Sequence, residues 1–116
     1  MKIITSYPET LDLKTAYALT RNPENQNMKN LEGTTFAVKA YALYEDVNSK
    51  GENQEVLALL TDEDETYSTI SPTFKKDFAD IVDMAAQYGT NVSDINVAVI
   101  GGESKNGRHY IGCKMV

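Results

Sequence analysis

A second cysteine is missing from this sequence. Cys113 stands alone, so no internal disulfide can form and a reducing, intracellular setting is expected. Histidine is as scarce, with His109 the only one, which excludes a zinc site of clustered His and Cys. On one strand His109 and Cys113 would stand about 13 Å apart, too far for one to activate the other. No catalytic residue and no metal ligand is therefore assigned, and an enzyme is not expected. There is no run of eighteen apolar residues, so no membrane-spanning helix is expected. The opening "MKIITSYPETLDL" is too polar for a secretory signal. Net positive charge is lacking too, since 11 bases face 17 acids for a net −6.

What is present reads as globular: 116 residues, 41% hydrophobic and 24% charged, the size of one ordinary domain with a real core. The acidity is local. Glu45, Asp46, Glu52, Glu55, Asp62, Glu63, Asp64 and Glu65 face Lys50 alone, leaving ten bases and nine acids elsewhere. The run "TDEDET" lacks the spacing and the glycine of a calcium loop, and reads as a solvated turn. "GESKNGR" has the glycine spacing of a phosphate loop. Arg108 and His109 stand where Lys and Ser or Thr are needed, and a strand follows instead of a helix.

Periodicity divides the chain. A helix is predicted near 10–20, with Leu13, Ala16, Tyr17 and Leu19 at helical spacing, stopped before Pro23. "ENQNMKN" reads as a polar connection. From Thr34 the period falls to two, with Phe36, Val38, Ala40, Ala42 and Tyr44 on one face of a long strand. "EVLALLT" and "TYSTI" supply two more strands. Ser71 and Pro72 open a helix over about 72–88, with Phe74, Phe78, Ile81, Val82 and Ala85 as its apolar stripe and Gly89 just beyond. Two further strands follow, the last with His109, Ile111, Cys113 and Met115 directed inward. Tyr17, Tyr44 and Tyr88 are expected in the core.

Three strands, a helix and two strands is the order of a five-stranded OB-type Greek-key barrel, the helix lying between strands three and four. The fold class expected is mainly β with helices, one OB-fold domain over 1–116. Residues 1–30 form an N-terminal strand and helix extension.

Bases and aromatics are interleaved on the last strand and recur on the long one. Lysine and arginine follow phosphates, and flat rings stack on unpaired bases. The residues nominated are Lys39 and Tyr41 on the long strand, Lys50 in the first turn, Tyr67 on the third strand, and Lys105, Arg108, Tyr110 and Lys114 in the terminal hairpin. In an OB barrel, ligands lie between the loops joining strands one to two and four to five, here "VNSKGENQ" and "GGESKNG".

The segments "DLKTAYALTRNPE", "MKNLEGTTFAVKAYALYEDVNSKGE", "EVLALLTDEDETYSTISPTFKKDF" and "SKNGRHYIGC" together resemble a family of small single-stranded DNA-binding proteins. Phages and mobile plasmids of Gram-positive bacteria encode them. The resemblance covers most of 10–116 and implies an OB fold, no cofactor and sequence-tolerant binding. It also implies a role on strands exposed during replication or transfer in the bacterial cytoplasm. On this reading Tyr41, Tyr67 and Tyr110 are stacking platforms, while Lys39, Lys105 and Arg108 meet phosphates. Tryptophan and an acidic C-terminal tail are both absent, so no partner is expected to be recruited by a tail. "MKIITSYPET" is either an arm for self-association along the strand or an edge strand. The residues fit RNA as well as DNA. A reading of another class is a protein-binding OB module acting through its acidic 45–65 face.

Overall fold

The change of periodicity at Thr34 is where the main sheet begins in the computed structural model, which describes residues 1–116. In chain order the elements are β1 (Lys2–Tyr7), α1 (Leu13–Thr20), β2 (Gln26–Asn27), a 3₁₀ turn (Met28–Leu31), β3 (Thr35–Val47), β4 (Asn53–Thr61), β5 (Thr66–Thr69), α2 (Pro72–Gln87), a second 3₁₀ turn (Val92–Asp94), β6 (Asn96–Glu103) and β7 (His109–Met115). The chain is mainly β, a curled mixed sheet forming a half-barrel with two helices. The sheet order is β2-β5-β4-β3-β6-β7, with β1 also on β3. It has seven strands where five were expected, because "KIITSY" and the two-residue β2 join it, and α2 stands between the fifth and sixth.

β3 organises the sheet because it is long enough to pair twice along one edge. Thr35–Ala37 pair with β6, and Tyr41–Glu45 pair with β1. β4 runs along its other edge from Val38 to Val47. A register shift between Val38 and Ala40 corrects the expected face. One extra residue reverses the alternation. Phe36, Val38 and Tyr41 enter the main core with Leu57, Leu59, Phe74, Val97 and Val99. Ala40, Ala42 and Tyr44 turn to the other face, where Leu19 of α1 packs on them with Val56 and Ala58.

α2 forms as its punctuation dictates. The Ser71 hydroxyl accepts from the Phe74 amide, Pro72 opens the first turn, and Gly89 takes φ +66° beyond the end. Phe74 and Phe78 are buried beneath it. The helix also covers the gap where the barrel would close. β5 and β7 share no ladder. Instead the Ser71 hydroxyl donates to the Ile111 carbonyl at 3.3 Å, and Asp77 Oδ2 accepts from the Cys113 amide at 3.1 Å. These two contacts satisfy edge groups of β7 that a closed barrel would pair with a strand.

Other expectations are corrected here. α1 starts at Leu13, capped by Asp12, whose carboxylate accepts from the Thr15 amide. Tyr17, on the face of α1 turned from the sheet, and Tyr88, the residue that caps the end of α2, are exposed, 52% and 79%. The polar connection "ENQNMKN" is partly ordered as β2 and the first 3₁₀ turn, and its Met28 is fully buried. No helix is long and apolar enough to cross a membrane.

Candidate nucleic-acid interface

The terminal hairpin is a two-stranded ribbon. β6 pairs with β3 only through Asn96–Ala98, so Val99–Glu103 have β7 as their ladder partner. The ribbon turns at Ser104–Gly107. The Ser104 amide donates to the Arg108 carbonyl at 2.8 Å, and Gly107 adopts φ +75°, which the turn requires. Lys105 and Arg108 are carried on this turn and form no ion pair, although four other bases do. Tyr110 pairs with Gly102 across the ribbon. A Cβ on Gly102 would stand 2.7 Å from the Tyr110 ring, so the bare backbone is what lets the ring lie down there. The ring is 41% exposed, which leaves it a free surface. Lys114 lies on the same face as Tyr110, about 13 Å further along β7.

Beside the ribbon runs a groove of about 670 Å³. Asn25, Gln26, Asn27 and Lys29 line it on one side, His109, Tyr110 and Ile111 on the other, and Gln54, Ser68, Thr69 and Asp46, the last paired with Arg21, complete the lining. Amides and hydroxyls of this kind suit hydrogen bonding to base edges and sugars. The two walls are joined where Glu32 Oε1 accepts from His109 Nε2 at 2.5 Å. His109, expected to face inward, is exposed and held by this contact instead.

The nominated residues do not converge on one surface. Tyr41 and Tyr67 are 7% and 6% exposed. Tyr41 stacks on Tyr7 at 6.3 Å and meets Phe78 edge-on at 5.1 Å, and burial raises its pKa. The same register shift that moved Ala40 to the outer face turned Tyr41 inward. The Tyr67 ring lies in the same core and its hydroxyl sits between Glu65 and Gln26, so neither ring offers a face for a base. Lys39 is exposed but bonded to Asp64 at 2.5 Å. Lys50 is free in the β3–β4 turn, away from the ribbon's contacts. Lys105, Arg108 and Tyr110 share the terminal hairpin, and of all the nominated residues Tyr110 alone lines the groove. Sequence reasoning missed Asn25–Lys29. The signal was Asn27, whose side chain caps the 3₁₀ turn by accepting from the Lys29 amide.

The family of phage single-stranded DNA-binding proteins, phi29 type, matches residues 9–115. No curated protein and no solved structure matches the chain. The chain belongs to that phage family, a family of binding proteins and not of enzymes. It is a single-stranded DNA-binding protein of phage replication.

Proposed function

We propose that the ribbon and the groove beside it are where the single strand is held. The backbone follows Lys105 and Arg108, one base stacks on Tyr110, and its neighbours enter the amide-lined groove toward Lys29. The observation that carries this reading is the exposed Tyr110 resting on Gly102 at the groove's edge, on the same hairpin as Lys105 and Arg108, which form no ion pair. Stacking and phosphate contacts are indifferent to base identity, so the strand is coated without sequence specificity. Lys114 and Lys50 extend the positive surface. Lys39 joins it only when Asp64 releases it. Tyr41 and Tyr67 act through the fold and not through contact. The sheet is an OB-type barrel left open between β5 and β7, a single domain over 1–116 with 1–30 as its extension. Its place is the cytoplasm of a Gram-positive host, in phage or plasmid replication.

Fluorescence anisotropy with a labelled oligo-dT of about 30 nucleotides, against a duplex of equal length, tests the reading. The wild type should prefer the single strand and weaken with salt. Arg108→Ala and Lys105→Ala should each flatten the log–log salt slope by about 0.7. Equal slopes in wild type and both variants would remove the ribbon from the interface.

A further inference from the structure

We infer that Glu32 is a positioning residue, a clasp that fixes the spacing between the two walls of the groove. The inference rests on the proposed binding surface and adds a residue that touches no DNA in it. Glu32 lies just past the first 3₁₀ turn, where the Gly33 amide donates to the Val99 carbonyl at 2.8 Å. From there its carboxylate crosses to His109 on the opposite wall. The space it occupies is shaped for it: a Cβ on Gly101 would stand 2.5–2.7 Å from its three carboxylate atoms. The outer rungs of the ribbon, Gly102 with Tyr110 and Glu103 with His109, have no strand on either side. Ser71 and Asp77 tether β7 only lower down, at Ile111 and Cys113. Glu32 is therefore the outermost tie between the ribbon and the body. Without it the ring of Tyr110 and the wall at Lys29 lose their fixed separation, and binding must first restore it.

Charge alone predicts the opposite sign, which makes the clasp testable. An acid beside a DNA path repels it, and moving its carboxylate off the groove's edge would relieve that repulsion. Gly101→Ala breaks the contact while leaving every charge in place. The displaced atoms are the end of a flexible side chain, so folding is preserved, checked by an unchanged melting temperature. The clasp predicts up to about fivefold weaker oligo-dT binding, the size of one half-exposed ion pair. The salt slope stays as in the wild type because no phosphate contact is lost. In a Glu32→Ala background, Gly101→Ala should change nothing further. Wild-type or tighter binding by Gly101→Ala, with Arg108→Ala still weakened, would overturn the clasp and leave the ribbon reading standing. If neither variant weakens binding, both are overturned.

Discussion

Gly102→Ala is the sharpest probe of the interface because it alters a residue that offers DNA no side chain. The added Cβ would stand 2.7 Å from Cζ and Oη of Tyr110 and 3.2 Å from Cε1, so the ring must leave its seat. Gly102 does not adopt a positive φ, so alanine fits the backbone and folding is held or slightly improved. A stacked base is worth roughly 1–3 kcal/mol. With one side of the Tyr110 ring on Gly102, one base at most can stack, which favours the lower part of that range. Tyr110→Ala should thus lose about 5- to 30-fold in oligo-dT affinity. Gly102→Ala should lose a large share of the same factor. Both are read by anisotropy at one fixed salt concentration. Because they act on one ring, the double variant should bind no worse than Tyr110→Ala alone. Additive losses, or a Tyr110→Ala variant as tight as the wild type, would refute stacking at this ring.

Two further outcomes follow from burial. Tyr41→Ala and Tyr67→Ala should each destabilise folding by about 3 kcal/mol or more, as for other large core rings. Urea titration reads this, and at temperatures where the variants stay folded their DNA affinity should be nearly unchanged. Selective loss of binding in a stable Tyr41→Ala protein would return that ring to the interface. Burial, with Asp77 adding to it, pushes the Cys113 thiol up to about 12. The thiolate is then scarce at neutral pH, and alkylation of the native protein should be slow until denaturant is added. Rapid labelling of the folded chain would contradict the packing of β7 against α2.

The helix at 72–87 was legible because each signal was local: Ser71, Pro72, the apolar stripe and Gly89 all lie on one segment. The strand order was legible because turn residues separate clean alternations. The facing of β3 was not. A bulge leaves no mark in the alternation of "TFAVKAYALY", since alanine at 37, 40 and 42 fits either face. That ambiguity decided whether Tyr41 was a platform or a core ring, and only packing against Tyr7 and Phe78 resolves it. Three partners of the ribbon were hidden for the same reason. Glu32, Ser71 and Asp77 reach it across 77, 40 and 36 residues, and no periodicity encodes such distances. The pair Gly101-Gly102 and Gly112, two positions past Tyr110, were visible, but their meaning as three seats for Glu32, Tyr110 and Asp77 was not.

A chain of net charge −6 can hold a polyanion where its bases are left unpaired. Three of the eight acids of 45–65 are paired with bases. Asp46 bonds Arg21 at 2.5 Å, and that hydrogen bond lowers the pKa of its carboxyl. Glu55 pairs with Lys75, Asp64 with Lys39, and Asp62 accepts from the Ala37 amide. The three ion pairs join α1, α2 and the β4–β5 turn to the sheet. Lys105, Arg108 and Lys114 form no ion pair and are exposed on the terminal hairpin. A phosphate approaching within a Debye length, about 8–10 Å, responds to that local surface and not to the total. An adaptor role through residues 45–65 is not favoured, because the family to which the chain belongs binds single-stranded DNA.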